Sequence, residues 1–182
     1  MSDAPHPSDA ALAAAIRDGD EAAFRTLYDR YAARIHAFVW YRAHSQELAL
    51  DLTQEVFARV WKHRAVLDPG KSIKAYLYRI AHNLVINHLQ RQTVEKNYLA
   101  ELGSDRFITR PDDRFDLQEH LQRAIDALPE RLKTVFLLHR FEGFSYAEIA
   151  ASLEISIKTV EKRMSHALRQ LRERLAPFHR GN

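Results

Sequence analysis

The stretch ISIKTVEKRMSHALRQL, residues 155–171, has the pattern of an amphipathic helix with a basic face. Its apolar side chains recur at steps of three and four and form one stripe, which includes Leu175 just beyond the quoted stretch: Ile157, Val160, Met164, Leu168, Leu171 and Leu175. Polar and basic side chains lie away from that stripe: Lys158, Thr159, Lys162, Arg163, His166 and Arg169. The pattern predicts a helix, over residues 156–175, that buries one side and offers a cationic side to a partner.

A shorter helix is predicted just before this one, over residues 145–153. Ser145 followed by Glu148 is the signature of a capping box at its start. Ala150 is small where the two helices would cross, and Ile155 is apolar in the short turn between them. Such a pair is either a helix-turn-helix or an ordinary helical hairpin. The basic face of the second helix favours the DNA-binding alternative.

In that interpretation the side chains of the basic face have two roles, contact with base edges and contact with phosphate. Lys158 and Arg163 would donate to base edges or to phosphate, and Lys162, His166 and Arg169 would mostly hold phosphate. Base edges carry sequence information, whereas phosphate contacts only fix the position of the protein on the duplex.

The rest of the chain also predicts helices, and strand alternation is nowhere convincing. The predicted helices cover residues 9–17, 20–42, 46–63, 72–93, 115–128 and 130–141. Between 97 and 114 the apolar period is lost, and Gly, Ser, Pro and Asp accumulate. We therefore predict an all-α chain with two small helical domains, residues 9–95 and 115–176, joined by a flexible linker over residues 96–114. The C-terminal domain would contain the helix-turn-helix.

Charge is distributed unevenly along the chain, although the net charge is only +3. Residues 62–96 and 155–182 are both strongly basic, with seven Lys and Arg against two Asp and Glu in each. Residues 1–61 and 97–154 are net acidic. This alternation suits a chain that contacts a polyanion at two separated places.

The composition argues against several functional classes. The 182 residues contain no cysteine, which excludes disulfides, thiol catalysis and cysteine-based zinc sites and fits the cytoplasm. The acidic N-terminus with its short Ala-rich run is neither a signal peptide nor a membrane span. We predict a cytoplasmic protein without direct membrane insertion.

An enzymatic site is not indicated either, since no metalloprotease, phosphate-loop or nucleophile motif is present. The carboxylates of Asp51 and Glu55 are one helical turn apart, but Arg59 at the next step offers a plain ion-pair explanation. His82 and His88 are six residues apart and cannot share a helix face as metal ligands. We predict no catalysis, cofactor, metal or small-molecule substrate.

Two N-terminal helices carry polar side chains at helical spacing. Asp51, Gln54, Glu55 and Ala58 share one face of the helix over residues 46–63, which by itself predicts only a solvated surface. On the same helix the large aromatic side chains Phe57 and Trp61 are predicted to lie in the core.

The next helix contains KAYLYRIAHNLVINHLQR, residues 74–91. Asn83, Asn87 and Arg91 follow one another at steps of four, and Tyr76 lies seven residues before Asn83. Unpaired bases are bound by aromatic faces, by amides that read their edges and by cations on the backbone, and this helix offers all three. Core packing is an equally good interpretation of the tyrosine, so Asn83 is the first candidate.

These segments together resemble bacterial sigma factors. FEGFSYAEIAASLEISIKTVEKRMSHALRQLRERL, residues 141–175, with LPERLKTVFLL upstream, resembles their C-terminal domain. AFRTLYDRY, ALDLTQEVFARVW and KAYLYRIAHNLVINHLQR resemble the other sigma domain and follow in the family's order. The short chain lacks the long N-terminal regions and middle domain of housekeeping sigma factors. It is therefore similar to the extracytoplasmic-function (ECF) subfamily of the sigma-70 family.

The resemblance implies an alternative sigma factor that binds core RNA polymerase and promoter DNA and directs promoter-specific transcription initiation. It implies a docking surface for the clamp helices of the largest polymerase subunit, made of Asp51, Gln54, Glu55 and Ala58. It implies capture of the melted minus 10 element by Lys71, Lys74, Tyr76, Arg79, Asn83, Asn87 and Arg91, with the loop over residues 68–72 helping to form a pocket for a flipped base. It implies minus 35 recognition in the major groove by Lys158, Thr159, Lys162, Arg163, His166 and Arg169. An anti-sigma factor is a further implied partner.

The sequence departs from the family pattern at three positions. Asn87 stands where the family often has Asp, and Gln90 replaces a frequent Arg, which weakens any phosphate contact there. Glu154 occupies the helix-turn-helix turn where Gly is frequent. If the backbone is left-handed at that residue, Glu costs on the order of 1 kcal/mol relative to Gly.

Two other functions remain open from the residues. A stand-alone helix-turn-helix regulator would bind duplex DNA as a dimer without polymerase and would not need Asp51, Gln54 or Glu55. An interaction-only protein that sequesters a partner would tolerate the loss of the Asn83 amide.

Overall fold

The structure is a computed structural model that describes the backbone of residues 7–101 and 117–176 and the side chains of residues 7–92 and 120–176. Within these ranges every regular element is a helix. The α-helices are α1 Asp9–Arg17, α2 Glu21–Ala43, α3 Gln46–Lys62, α4 Ile73–Glu101, α5 Leu117–Asp126, α6 Glu130–Arg140, α7 Tyr146–Leu153 and α8 Ile157–Leu175, and a 3₁₀ turn covers Arg64–Val66. The predicted all-α fold is confirmed. None of the helices in the described part of the chain is long and apolar enough to cross a membrane.

The helices form two compact units. The first consists mainly of α1, α2, α3 and the beginning of α4, and the second mainly of the rest of α4 with α5 to α8. The two-domain helical organisation predicted from the sequence is thus present in the fold.

The core of the first unit is built around α2 and α3. Asp20 caps α2 by accepting hydrogen bonds from the backbone amides of Ala22 and Ala23 at 2.8 and 3.0 Å. A two-residue connection follows α2, so α2 and α3 pack side by side. Their buried side chains include Leu27, Tyr31, Ile35, Phe38, Val39, Val56, Phe57 and Val60. The predicted helix over residues 20–42 thus buries one side, with Phe24 half-buried and Tyr28 38% exposed at its edge.

Helix α4 begins as predicted but ends later. Ser72 caps it by accepting a hydrogen bond from the Ala75 amide at 3.1 Å. The helix continues to Glu101, beyond the predicted end near Thr93, because residues 92–101 include good helix formers and neither Gly nor Pro. Residues 96–101 of the predicted linker are thus helical, and residues 102–114 lie outside the described residues.

The core of the second unit lies between α5, α6 and α8. Residues 132–138 of α6 are all buried. Pro129 is the N-cap of this helix, with an extended ψ of 139°. Its carbonyl accepts hydrogen bonds from the Leu132 and Lys133 amides at 2.8 and 3.0 Å.

The apolar seam of α8 differs in part from the predicted stripe. Val160, Met164, Ala167 and Leu171 are buried, whereas Ile157 and Leu168 are 49% and 37% exposed. At about 100° per residue, Ile157 and Leu168 lie roughly 50–70° to one side of the centre of the buried set. The small Ala167 lets the neighbouring helices approach closely, and this shifts the seam away from the larger side chains.

Candidate nucleic-acid and protein interfaces

One face of α3 is open to solvent. Asp51, Gln54, Glu55 and Ala58 are all exposed, while Thr53, Val56, Phe57 and Val60 on the other side are buried. The Thr53 hydroxyl donates to the Ala49 carbonyl at 2.6 Å, so its polar group is satisfied within the helix. The helix therefore presents a mainly acidic face that its own core does not use.

Aromatic side chains join α3 to α2 beneath this face. Phe57 is buried, as predicted, with its ring 4.7 Å from that of Tyr28 and 6.3 Å from that of Phe24. Trp61 is only half-buried, so its predicted core position is partly wrong. Its ring lies 5.0 Å from Phe24, and the Arg64 guanidinium lies 4.7 Å over it. These contacts fix the orientation of α3 on α2 and hence the direction in which the acidic face points.

The loop that precedes α4 is held in a tight turn by Asp68. Its Oδ1 accepts a hydrogen bond from the Gly70 amide, and its carbonyl accepts one from the Lys71 amide, both at 2.9 Å. Leu67 and Ile73 are buried on either side of the turn and anchor its two ends. The sequence Asp-Pro-Gly is typical of a turn, and the Asp68 side chain organises the loop here.

Helix α4 brings most of the predicted minus 10 residues onto one side. At about 100° per residue, Tyr76, Arg79, Asn83, Asn87 and Arg91 follow one another along a single strip of the helix surface. The two asparagines and Arg91 are exposed, and the tyrosine and Arg79 are half-buried. The Arg79 guanidinium lies 5.2 Å from the centre of the Tyr76 ring, within the range of a cation–π contact.

The remaining two predicted residues of this group lie elsewhere. Lys71 is exposed in the loop just before the helix, and Lys74 is about half a turn around α4 from Tyr76. Tyr78, the second tyrosine of this helix, is not part of the strip. It is fully buried, with its ring 5.2 Å from that of Phe38, so it is a core residue.

The helix-turn-helix predicted over α7 and α8 is present. Ser145 and Glu148 form the predicted capping box, in which Glu148 Oε2 accepts from the Ser145 amide at 2.8 Å and Ser145 Oγ accepts from the Glu148 amide at 3.2 Å. Glu154 in the turn has a φ of 55°, which is the left-handed conformation. Ser156 caps α8, and its Oγ accepts from the Thr159 amide at 3.1 Å.

The basic residues of α8 separate into an exposed strip and a flank. Lys158, Lys162 and Arg169 are exposed and lie within about 40° of one another around the helix. His166 is half-buried beside this strip. Thr159 and Arg163 are half-buried on the flank nearer the core, and the Thr159 hydroxyl lies 2.8 Å from that of Ser156. The structure therefore assembles a cationic surface from four of the six predicted residues.

A residue that the sequence did not single out fixes the turn before α7. His139 Nδ1 donates to the Phe144 carbonyl at 2.8 Å, and its ring lies 5.0 Å from that of Tyr146. Between these residues Gly143 has a φ of 67°, a conformation that favours glycine. The glycine was the one sequence signal of this turn, and nothing in the spacing indicated the histidine.

Comparison with known proteins gives the class of the chain. Residues 27–94 match the family described as Sigma-70 region 2, and residues 118–171 match Sigma-70, region 4. The first match covers most of α2, α3 and α4, and the second covers α5 to α7 and most of α8. The three candidate surfaces, on α3, α4 and α8, thus lie on the helices of a sigma-70-type protein.

Curated relatives narrow the class further. The chain is 32% identical to the ECF RNA polymerase sigma factor SigE of Mycolicibacterium smegmatis, over 96% of this chain and 72% of the relative. It is 30% identical to the ECF RNA polymerase sigma factor RpoE of Cereibacter sphaeroides, over 91% and 94% of the two chains. The chain belongs to the ECF family of RNA polymerase sigma factors.

Solved structures support the same fold. CnrH, in complex with the cytosolic domain of CnrY, aligns with a TM-score of 0.72 over 93% of this chain and 97% of its own. The sigma factor RpoE from Bartonella quintana, in complex with the anti-sigma factor NepR, aligns with a TM-score of 0.70 over 84% and 96%. Both are 23% identical in sequence, so this likeness concerns the fold alone.

The family assignment also decides between the functions that the sequence left open. This chain is an alternative sigma factor that directs transcription initiation. The stand-alone helix-turn-helix regulator is the wrong alternative, because the N-terminal helices match Sigma-70 region 2 and the homology spans both regions.

Proposed function

We propose that the chain is a promoter-specificity subunit without an active site of its own, and that it uses three surfaces on two domains. The observation that carries this proposal is that three solvent-accessible surfaces lie on the helices that match the two sigma regions. The chemistry of each surface suits the partner that we propose for it. The α3 face is acidic, the α4 strip combines amides with an aromatic ring and arginines, and the α8 strip is cationic.

The α3 face, made of Asp51, Gln54, Glu55 and Ala58, binds the clamp helices of the largest polymerase subunit. Exposed carboxylates are suited to basic side chains on a partner, and Ala58 leaves room for close approach. Support comes from the exposure of all four residues and from the buried side chains that fill the opposite side of the helix.

The α4 strip captures the melted minus 10 strand. The Asn83 and Asn87 amides read base edges, and the Tyr76 ring offers a face on which a base stacks. Arg79, which lies against that ring, and Arg91 hold the backbone together with Lys71 and Lys74. The loop over residues 68–72 helps to enclose a flipped base. The exposure of both asparagines supports this assignment.

The α8 helix enters the minus 35 major groove. Lys158, near the N-terminus of the helix, reads base edges, while Lys162 and Arg169 on the same exposed strip hold phosphate. Beside the strip, His166 contacts phosphate. On the flank, Arg163 reaches base edges or phosphate from closer to the core, and Thr159 supports the start of the helix through Ser156.

Two domains, residues 9–95 and 115–176, carry these surfaces, with residues 96–114 as the linker. Each domain alone makes few phosphate contacts, so the free protein binds duplex DNA weakly and in a salt-sensitive manner. Polymerase fixes the two domains at the separation of the two promoter elements, which makes the second contact effectively intramolecular. Promoter binding therefore depends on prior binding to polymerase.

The protein acts in the cytoplasm, where polymerase and promoter lie, and is not inserted in the membrane. It has no catalytic activity and takes no cofactor or small-molecule substrate. An anti-sigma factor regulates it by masking its binding faces. The complex of RpoE from Bartonella quintana with the anti-sigma factor NepR supports this last point.

The test is a reconstitution with sigma-free core RNA polymerase. We expect the full chain to co-migrate with core polymerase in gel filtration and to bind promoter duplex specifically only within that complex. Tight, sequence-specific duplex binding by the free chain, together with no association with core polymerase, would overturn the proposal.

A further inference from the structure

The 3₁₀ turn Arg64–Val66 and the loop after it have little core of their own. No residue of the turn is buried, and Val66 is 73% exposed. Its hydrogen bonds are local: Val66 donates to the His63 carbonyl at 3.1 Å, and Leu67 donates to the Arg64 carbonyl at 3.0 Å. The position of such a segment is set by the elements packed against it.

One of those elements is α1, which packs against the 3₁₀ turn as well as against α2. Leu12, Ala13 and Ile16 of α1 are buried, and Gly19 ends the helix with a φ of 95°. The helix is therefore a fixed element between α2 and the segment that leads into the loop over residues 68–72.

A polar clasp fixes the beginning of α1 on α2. Asp9 accepts from Arg30 Nη1 at 2.6 Å through Oδ1, and from the Tyr31 hydroxyl at 2.5 Å through Oδ2. Arg30 Nη2 also donates to the Pro7 carbonyl at 2.8 Å. Burial, followed by the bond to Asp9, raises the pKa of Tyr31 well above its usual value, so the hydroxyl stays protonated and donates.

We infer that the clasp formed by Asp9, Arg30 and Tyr31 positions the minus 10 recognition loop through α1 and the 3₁₀ turn. Asp9 and Tyr31 are positioning residues, since neither belongs to the proposed DNA-binding strip. The functional part of this inference rests on the proposed role of the loop in binding the melted strand. The structural part concerns only the coupling between α1 and the loop.

Hydrogen exchange in the full chain tests the structural part directly. The Gly70 and Lys71 amides report on the loop, because both are bonded to Asp68, and the Phe57 and Val60 amides report on α3. We expect Asp9→Ala to accelerate exchange at the two loop amides by about tenfold with α3 unchanged. Tyr31→Phe, which keeps the ring and removes one hydroxyl, should give a smaller change in the same direction.

Thr26→Val is the matched control, because it also removes one hydroxyl from α2. The Thr26 hydroxyl donates within α2 to the Ala22 carbonyl at 2.9 Å, outside the clasp. This variant should leave the loop amides unchanged. The inference is overturned if Asp9→Ala and Tyr31→Phe leave loop exchange as in the wild type, or if they accelerate α3 and loop equally, as a general loss of stability would.

The functional part is tested with the same variants bound to core polymerase. The probe is a single-stranded DNA that carries the minus 10 sequence obtained by promoter mapping. We expect Asp9→Ala to weaken binding of this probe by about three- to tenfold while polymerase affinity is unchanged, and Thr26→Val to change neither. If the wild-type complex binds the single strand and the Asp9→Ala complex binds it equally well, the positioning role is contradicted. If the wild-type complex does not bind the single strand at all, the proposed function is contradicted instead.

Discussion

Glu55 and Arg59 lie one turn apart on α3, where Arg59 Nε donates to Glu55 Oε1 at 2.6 Å. Both side chains are 46% exposed, so solvent screens the pair and its contribution to stability is small. A basic side chain on a binding partner can therefore replace Arg59 with little loss. The ion pair holds the Glu55 carboxylate at the surface, where a basic side chain of a partner could bind it in place of Arg59.

Removal of Arg59 tests this relationship. We expect Arg59→Ala to tighten binding to core polymerase by about twofold, since a competing pair of roughly 0.3–0.5 kcal/mol is lost. Titration of labelled protein with core polymerase measures the affinity. A tenfold weaker complex would mean that Arg59 itself docks on the polymerase and that Glu55 is not the contact.

Reversing the charge of the α3 face should abolish docking. For the double variant Asp51→Arg, Glu55→Arg we expect polymerase affinity to fall by more than about a hundredfold, because like charges would face each other across the interface. The helical circular dichroism should be unchanged, since both positions are exposed.

A second double variant controls for net charge. Asp18→Arg with Asp29→Arg makes the same change in charge at two other exposed positions. Asp18 lies at the end of α1, and Asp29 lies on α2. It should keep polymerase affinity within about twofold of the wild type. Equal loss in both double variants would show that overall charge, rather than the α3 face, governs the interaction.

Asn83 should be needed for promoter opening and not for polymerase binding. We expect Asn83→Ala to reduce open complexes by about tenfold, since the amide contact to an unstacked base is lost. Permanganate reactivity of minus 10 thymines measures opening. Gln92→Ala, which removes an exposed amide about half a turn away on α4, should open promoters as the wild type does. If the two variants behave alike, Asn83 has no special contact.

Two lysines on the exposed strip of α8 should differ in effect. Lys158→Ala should change the preferred base at one minus 35 position, with a discrimination loss of about 1–3 kcal/mol. Lys162→Ala should weaken all promoters alike and lower the slope of binding against salt by about 1. Competition for the polymerase complex among promoters that differ at single minus 35 positions distinguishes the two effects. A uniform loss in Lys158→Ala would assign that lysine to phosphate.

The left-handed turn between α7 and α8 offers a stability prediction. Glu154 has a φ of 55°, so Glu154→Gly relieves conformational strain, and we expect about 0.5–1 kcal/mol of added stability. Urea unfolding with an unchanged m-value checks this. Glu161→Gly, at an exposed position inside α8, should instead lose about 1 kcal/mol. A destabilised Glu154→Gly variant would contradict the strain argument.

Much of this fold follows from local sequence signals. The capping box at Ser145 and the turn at Glu154 both depend on a few neighbouring residues. The exposure of the α3 face likewise follows from helical spacing alone. Such features are set by short-range chemistry, and the sequence predicts them well.

Features that depend on packing were predicted less well. The α8 seam includes Ala167 instead of Leu168, because the approach of neighbouring helices rather than side-chain size decides which residue is buried. The half-buried Trp61 and the clasp on Asp9 depend on α2 residues distant in sequence, which spacing cannot indicate. The cationic strip of α8 was recognised, but the placement of Arg163 and Thr159 on its flank required the structure.

The most direct test of the central claim is transcription by core RNA polymerase with the purified chain on a library of bacterial promoter fragments, followed by sequencing of RNA 5′ ends. We expect discrete start sites with shared minus 10 and minus 35 elements, absent when either component is omitted. We also expect Lys158→Ala to change the minus 35 consensus alone. The absence of start sites above those of core polymerase alone would show that the chain does not direct initiation.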